Sequence, residues 1–327
     1  MIVDYQAHWY PVAAIDALVG RTDGYPRAER VDGKYIVEAD AGRPMSFAGF
    51  LEPSFIDLDE QFRVADDAGI DMLVSSPAGL NGVWDMDANE AVEFCELLNE
   101  ELARAQRARP SRFRGLATVP LHHPARAIEV LERAAHVHDL RGLCVPTSVH
   151  ATTIATPELL PVFETVEQLG LPLFLHPTLR TYTSDLKLGN LIEGGLGWMF
   201  HSSVAALGLI ESGILDDCPN LVVVHPHLGG TIPYVLGRLD RIGAAGREAP
   251  VSEYLRTRFY TDTVGPTGPA LQLAIDAYGI DRVLFGTDYP YLDMARLVAF
   301  VEDNASPDDA AAILHRNTVA RILEPLP

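Results

Sequence analysis

The chain has 327 residues, of which 48% are hydrophobic, and it carries a formal net charge of −20 at neutral pH. A chain with this much negative charge repels nucleic acid and anionic membrane surfaces. We therefore expect neither as a partner. No apolar run reaches the roughly 18 residues that a membrane-spanning helix needs, and the first residues lack the features of a signal peptide. Three cysteines without metal-binding spacing suit a reducing compartment, and we therefore expect a cytoplasmic protein.

Short apolar runs alternate along the chain with segments of helical periodicity. The runs are continuous rather than alternating, which is typical of parallel strands that are covered on both faces. The segments between them, such as 85–107 and 124–138, have helical spacing, and several begin at Pro or Asp. The runs are MIVDY (1–5), MLVSS (72–76), GLATVPL (115–121), GLCVP (142–146), LPLFLHP (171–177), LVVVHPH (221–227), RFYTDT (258–263) and RVLFGTDYP (282–290).

Eight strand–helix units in a chain of this length predict an α/β fold, specifically a (β/α)8 barrel. An open eight-stranded sheet is the alternative. The long interval 9–56 is rich in Gly and Pro and contains a possible hairpin near 31–39, so we interpret it as an insertion after the first strand that lies over the barrel mouth. No segment has the composition of a linker, which favours a single domain over residues 1–327.

Polar side chains stand at the ends of three predicted strands. The first strand ends with Gln6 and His8, which share a face because side chains alternate along a strand. The fifth ends with His176 and the eighth with Asp288. In barrels of this kind the active site lies at the carboxyl ends of the strands. Imidazoles and a carboxylate that converge there are the ligands that a divalent metal of the zinc or manganese type requires.

The sixth predicted strand ends in His-Pro-His followed by two glycines. His225 and His227 share a face only if the strand stays regular past Pro226, and the glycines indicate a turn that brings the backbone near a ligand. We favour His227 as the residue that faces the site. His225 is either a hydrogen-bonded residue of the core or rim, or a residue that binds substrate.

In this order the motifs resemble those of the metal-dependent amidohydrolase superfamily, and more narrowly the branch of aminocarboxymuconate semialdehyde decarboxylase and the aryl-acid decarboxylases. The motifs are D-x-Q-A-H after the first strand, FLHP after the fifth, HLGG after the sixth and LFGTDYP after the eighth. The likeness spans essentially the whole chain. It implies a (β/α)8 barrel, a divalent ion that is usually zinc or manganese, and decarboxylation, hydration or hydrolysis of a small carboxylated substrate.

The resemblance also implies roles for individual residues. By position, His8, His176 and Asp288 match metal ligands of the family, and Asp288 also matches a frequent proton donor. His227 matches an acid/base or substrate-orienting histidine. The fourth strand lacks the lysine that bridges two metals in other branches, so the resemblance implies at most one ion.

Three positions depart from the family pattern. Gln6 stands where relatives have histidine or occasionally glutamate, and a neutral amide oxygen is a weaker metal ligand than either. We therefore expect a weakened or vacant metal site with Gln6 as a possible fourth ligand. His201, where relatives often have an acid, and Thr178, just after His176, are both expected to line the substrate pocket.

The prediction of a homodimer depends on a single arginine. Arg238, eleven residues after His227, matches an arginine that some relatives extend across a dimer interface to the substrate carboxylate. An acidic chain that handles an anionic substrate needs such a positive group. We therefore expect a homodimer in which Arg238 binds substrate.

Two classes of function follow from these residues. The leading hypothesis is a metal-dependent decarboxylase of a small aromatic or unsaturated carboxylic acid, with Asp288 or His227 protonating the carbon that loses carbon dioxide. Zinc is expected first and manganese second. The enzymatic alternative is a hydrolase or hydratase that uses a metal-activated water. The other class is a barrel that has lost its metal and acts as a cyclase, a lactonase or a ligand-binding protein.

Overall fold

The structure is a computed structural model that describes residues 1–40, 43–46, 48–150, 152–178, 189–243, 249–265 and 267–324. The strands are Val3–His8 (β1), Arg27–Val31 (β2), Lys34–Asp40 (β3), Arg43–Pro44 (β4), Met72–Ser76 (β5), Phe113–Gly115 (β6), Leu143–Pro146 (β7), Ser148–Val149 (β8), Thr152–Thr153 (β9), Leu173–His176 (β10), Val223–His225 (β11) and Phe259–Thr261 (β12).

Helices separate most of these strands. They are Val12–Leu18 (α1), Pro53–Ile56 (α2), Leu58–Asp67 (α3), Ala88–Ala108 (α4), Pro124–His136 (α5), Leu160–Gln168 (α6), Asn190–Ile192 (α7), Trp198–Glu211 (α8), Ile214–Asp217 (α9), Pro226–Gly229 (α10), Ile232–Gly243 (α11), Val251–Arg258 (α12), Gly268–Tyr278 (α13), Met294–Asn304 (α14), Pro307–Ala311 (α15) and Ala320–Leu323 (α16). Short 3₁₀ turns span Pro157–Leu159 and Ile280–Arg282, and π-helical turns span Glu193–Gly197 and Ala312–Arg316.

The long-range strand pairs are parallel. β5 lies between β1 and β6, and β10 and β11 lie between β7 and β12. A parallel bridge from Ala117 to Leu143 connects the two groups. The predicted α/β class, with parallel strands and intervening helices, is confirmed.

The eighth predicted strand, residues 282–290, forms single bridges instead of a regular strand, and we call it the eighth segment. On one side the Leu284 N–H donates to the carbonyl of Thr261 at 2.7 Å, and on the other the Tyr5 N–H donates to the carbonyl of Phe285 at 2.9 Å. The segment therefore lies between β12 and β1. The third predicted strand is also shorter than expected: pairing ends at Ala117, because the N–H and the carbonyl of Thr118 bond to the side chain of Asn99 instead of to a strand.

Both faces of the parallel strands are buried, which explains their continuous apolar sequences. Alternate residues of β5 illustrate this arrangement: Met72 and Val74 face an inner cluster, whereas Leu73 packs into the larger core under the helices. The inner cluster consists of Val3, Tyr5, Met72, Val74, Leu116, Cys144, Phe174, Val224, Leu284, Val319 and Ile322. The strand ends beyond this cluster are therefore the polar rim that the sequence predicts.

Residues 9–56 contain α1, the antiparallel sheet β2–β3–β4 and α2. The hairpin spans 27–40 rather than 31–39 and turns at Asp32 and Gly33, whose φ values of 50° and 78° are those of a two-residue turn. Gln61 ties the end of this region to the first strand, since its Nε2 donates to the carbonyls of His8 at 2.9 Å and Ser54 at 2.7 Å. The region is thereby attached beside the end of β1.

Among the described residues, no helix is both long enough and apolar enough to cross a membrane. The three cysteines are buried free thiols. The cytoplasmic location stays a prediction.

Candidate active site

Three of the residues predicted to bind metal lie together. His8 ends β1, His176 ends β10, and Asp288 lies in the eighth segment. One potential ligand atom from each lies within 4.8 Å of the other two. His8 Nε2 is 2.9 Å from Asp288 Oδ1, and the two imidazole centroids are 4.8 Å apart. Distant parts of the sequence thus converge at one rim.

Both imidazoles are oriented by backbone carbonyls. His8 Nδ1 lies 3.2 Å from the carbonyl oxygen of Ser76, and His176 Nδ1 lies 2.7 Å from that of Pro177. Because a carbonyl only accepts, each Nδ1 carries a hydrogen, and the neutral ring of His176 keeps its lone pair on Nε2. Burial, and then the neighbouring His8, lower the pKa of His176 to about 3, so this ring is neutral at physiological pH.

Asp288 is held in a left-handed backbone conformation with a φ of 60°. Its N–H donates to the carbonyl of Gln6 at 2.7 Å, which fixes the eighth segment against β1. Burial alone would raise the pKa of Asp288, but the hydrogen bond and charge of His8, followed by His227 and His176, bring that pKa below its usual value. Asp288 is therefore an ionised carboxylate at neutral pH.

Asp4 connects the first strand to the segment that contains Asp288. Its carboxylate accepts the N–H of Thr287 at 3.0 Å and the hydroxyl of Thr287 at 2.5 Å, and it also accepts the N–H of Gln6 at 3.0 Å. Burial raises the pKa of Asp4 to about 6 despite these bonds. The sequence places Asp4 on the same strand face as Gln6 and His8, but its link to Thr287 depends on how the first and last segments pair.

Gln6 reaches the site through its amide nitrogen. Gln6 Nε2 lies 3.4 Å from His227 Nε2 and 3.5 Å from Asp288 Oδ1. In this orientation the amide is a hydrogen-bond donor to both partners, and its nitrogen, rather than the oxygen that would ligate a metal, is the atom that faces them. The role of Gln6 as a ligand stays a prediction that requires the opposite amide orientation.

His227 lies in a strained turn. His227 and Leu228 have φ values of 59° and 54°, which cost about 1–2 kcal/mol per residue for side chains with a Cβ. Gly229 and Gly230 continue the turn with positive φ. Burial lowers the pKa of His227, so its imidazole is neutral. The glycines of HLGG therefore belong to a turn that holds a histidine beside Asp288.

His225 points away from this group into the packing between strand and helix. Its Nδ1 lies 3.0 Å from the Tyr278 hydroxyl and its Nε2 lies 3.2 Å from Ser202 Oγ. Both ring nitrogens are engaged, and burial lowers the pKa of His225 to about 3. Of the two predicted roles, these contacts favour the hydrogen-bonded core residue, and we do not include His225 in the substrate site.

The other predicted pocket residues lie in different surroundings. His201 is fully buried in α8, with Nε2 3.8 Å from Glu193 Oε1, which argues against a place in the lining of an open pocket. Thr178 is nearly buried, two residues beyond His176. Arg238 is exposed on α11. The roles of Thr178 and Arg238 in binding substrate stay predictions.

Two tyrosines near the site were not predicted. The Tyr291 ring centroid is 6.0 Å from that of His8, and its hydroxyl donates to the carbonyl of Met45 at 3.2 Å. The Tyr10 hydroxyl lies 3.3 Å from the Tyr291 oxygen and donates to it, because the Tyr291 hydrogen is already used. Burial raises the pKa of both phenols, so both stay protonated. The only sequence signal for Tyr291 is its place in the motif D-Y-P-Y, which begins at Asp288.

A family model described as amidohydrolase matches residues 3–320 of the chain. This match covers nearly the whole sequence and includes every strand end described above. The chain therefore belongs to the amidohydrolase family.

The individual relatives indicate which branch of the family the chain resembles. The chain is 27% identical to 2-amino-3-carboxymuconate-6-semialdehyde decarboxylase of Dictyostelium discoideum, over 80% of this chain and 71% of that protein. It is similar in structure to 5-carboxyvanillate decarboxylase from Sphingomonas paucimobilis, with a TM-score of 0.82 and 27% identity over 98% of each chain. It is also similar to a dihydroxybenzoic acid decarboxylase from Polaromonas sp. JS666 with bound manganese and the inhibitor 2-nitroresorcinol, with a TM-score of 0.76 and 26% identity over 82% of this chain and 87% of that one. The predicted decarboxylase branch is confirmed.

Proposed function

We propose that this protein is a metal-dependent decarboxylase of a small aromatic carboxylic acid. The observation that carries the proposal is the convergence of His8, His176 and Asp288 in a chain whose named relatives are decarboxylases. Aromatic acids are favoured over the unsaturated semialdehyde because two of the three relatives carry aromatic acids in their names.

The proposed scaffold is a single (β/α)8 barrel domain over residues 1–327, with region 9–56 covering its mouth. Support for closure comes from the pairing of the eighth segment with both β12 and β1. Support for the cover comes from the bond between Tyr291, near the proposed ligands, and the carbonyl of Met45 in the inserted region.

The residues at the rim fit one divalent ion. Two imidazoles, each held by a backbone carbonyl through Nδ1, and one carboxylate form a donor set that suits zinc or manganese. Two imidazoles favour zinc, and the Polaromonas relative supports manganese. When bound, the ion would hold the substrate carboxylate and an adjacent oxygen and stabilise negative charge on them.

In each turnover, side chains of the site accept one proton and deliver it to the substrate. Breaking the carbon–carbon bond releases carbon dioxide and leaves the electron pair on the ring carbon, which must take up a proton. Asp288 is ionised at rest, so it first accepts a proton, from a substrate hydroxyl or water, and then delivers it to that carbon. Neutral His227, beside Gln6 and Asp288, is placed to hold or return this proton.

The test measures carbon dioxide release from hydroxybenzoic acids, including 2,6-dihydroxybenzoate and 5-carboxyvanillate, with manganese or zinc supplied. We expect turnover of at least one of them, and a loss of at least about 1000-fold in Asp288→Asn because the acid/base group is removed. Asp293→Asn is the matched control, since Asp293 only caps α14 by accepting the Arg296 N–H. Products of hydration or hydrolysis without carbon dioxide, or an active Asp288→Asn enzyme, would contradict the proposal.

We also propose a homodimer in which Arg238 contributes to the partner's site. Tyr234, Arg238 and Ile242 follow one another at intervals of four residues along α11, and the two apolar side chains are 83% and 59% exposed. Exposed apolar side chains grouped around an arginine are typical of protein interfaces.

The dimer proposal is tested by mixing Arg238→Ala chains with Asp288→Asn chains, each inactive alone. Random exchange should restore about a quarter of the wild-type rate, because half of the dimers are mixed and each contains one intact site. A monomer in solution, or no recovery after proven exchange, would leave Arg238 as a surface residue.

A further inference from the structure

The turn that carries His227 needs external support. Residues 227–230 all have positive φ, a conformation that His227 and Leu228 adopt only when their surroundings impose it. Because the imidazole is attached to this turn, a small shift of the backbone at His227 changes where the ring points. The neighbours that hold the turn are therefore part of how the site is built.

Helices α8 and α13 hold the far end of the turn. A Cβ on Gly229 would collide with the Tyr278 hydroxyl, and one on Gly230 would lie 2.5 Å from Ser203 Oγ. The N–H of Thr231 donates to the same Ser203 oxygen at 2.8 Å. These contacts fix the glycines, but they lie beyond His227 and do not hold its own backbone.

Asp262 holds the end of the turn that is nearest the site. It follows β12 directly and is 1% exposed. Its Oδ1 accepts the N–H of His227 at 2.8 Å and the N–H of Val264 at 3.0 Å. One carboxylate oxygen thus connects the end of β12 to the point where the chain leaves β11.

The packing around Asp262 leaves it little freedom. A Cβ on Gly286 would lie 2.9 Å from Asp262 Cβ and 3.2 Å from Gln6 Cβ, so Asp262 is confined by the eighth segment and β1. Its second oxygen, Oδ2, is buried and has no hydrogen-bond partner among the residues that the structure describes. Burial raises the pKa of Asp262 to about 8. The contacts that reach His227 therefore need an acceptor at Oδ1 and do not need a charge.

We propose that Asp262 is a positioning residue for the reaction, which fixes the backbone N–H of His227 through Oδ1 and thereby directs the imidazole towards Asp288. The inference rests on the proposed function in that His227 takes part in proton transfer. The hydrogen bond itself can be tested without any substrate.

The first measurement is hydrogen–deuterium exchange of the peptide that contains His227, in the metal-loaded enzyme. Asp262→Ala removes the acceptor, and exchange at His227 should become at least about tenfold faster. Asp262→Asn keeps an oxygen at Oδ1 and should leave the amide protected. Thr263→Val is the matched control, because buried Thr263 bonds to the backbone of Gly286 instead.

The second measurement is the steady-state rate on whichever acid the enzyme turns over. For Asp262→Ala we expect kcat to fall by about 100-fold with little change in KM, because the acid/base group is misplaced while substrate binding remains. Asp262→Asn should restore kcat to within about threefold of wild type. Thr263→Val should lower the melting temperature without lowering kcat.

The outcomes separate this inference from the proposed function. Protected His227 in Asp262→Ala, or a kcat for Asp262→Asn as low as for Asp262→Ala, would overturn the positioning role. If Asp262→Ala is not recovered folded, Asp262→Ser, whose side chain is too short to reach both amides, takes its place under the same criteria. A protein that decarboxylates nothing but shows the expected exchange pattern would keep the structural inference and refute the proposed function.

Discussion

Replacement of Gly230 by alanine should be among the most damaging single-methyl changes in this protein. Gly230 has a φ of 58° and a ψ of −124°, and an added Cβ would lie 2.5 Å from Ser203 Oγ and 2.7 Å from the carbonyl oxygen of Met199. This combination of φ and ψ lies outside the left-handed helical region and costs about 1–3 kcal/mol for alanine. The contact with a helix carbonyl, which cannot rotate away, adds about 1–3 kcal/mol.

Gly33 provides the control for Gly230→Ala. It has a φ of 78°, but a Cβ there would meet nothing within 4 Å. Gly33→Ala should therefore cost only the conformational part, about 1–2 kcal/mol, in urea unfolding followed by tryptophan fluorescence. Gly230→Ala should cost about 2–6 kcal/mol and also lower kcat, because the turn moves His227.

Equal costs for the two variants would mean that α8 yields to the added methyl group. An unchanged kcat in Gly230→Ala, despite its lower stability, would mean that His227 does not depend on the geometry of the turn.

Two further predictions concern the first strand. Gln6→His should raise the affinity for zinc at least about tenfold in chelator competition, and unchanged affinity would show that this side chain points away from the ion. Burial raises the pKa of Asp4 from its ordinary value of 3.8 to about 6 in the folded protein, so its contribution to stability is present below pH 4 and is lost as pH rises through 6. Asp4→Asn removes this titration, so the unfolding free energy of the variant relative to wild type should rise by up to about 3 kcal/mol between pH 4 and 7. A pH-independent difference would contradict the raised pKa.

The sequence predicts those residues of the site whose position follows from the pattern of apolar and polar residues in one short segment. A continuous apolar run that ends in a polar residue identifies the carboxyl end of a buried parallel strand, and this sufficed for His8 and His176. Asp288 was found in the same way, although Gly286 and the proline after Tyr289 prevent its segment from forming a regular strand.

The supporting residues were not predictable in this way, because their partners are backbone groups far along the chain. Asp4 is joined to Thr287, and Asp262 to His227, by contacts that exist only after the strands have taken their order. The surroundings of His225 and His201 could not be predicted for a related reason. Which face of a strand end or helix meets the site depends on the packing of α8 and α13, and the sequence pattern leaves that open.

Gln6 connects the proposed chemistry with the departure from the family pattern. With its amide nitrogen towards Asp288 Oδ1 and His227 Nε2, it is a neutral donor to both groups that we propose to handle the proton. The ion would then rely on His8, His176 and Asp288, and three protein ligands are the number that catalytic zinc sites use while keeping a position open. The weaker resting site would thus leave room for the substrate carboxylate and its neighbouring oxygen. An imidazole at residue 6 would bind the ion more tightly, but it would remove the donor that orients the lone pair of His227.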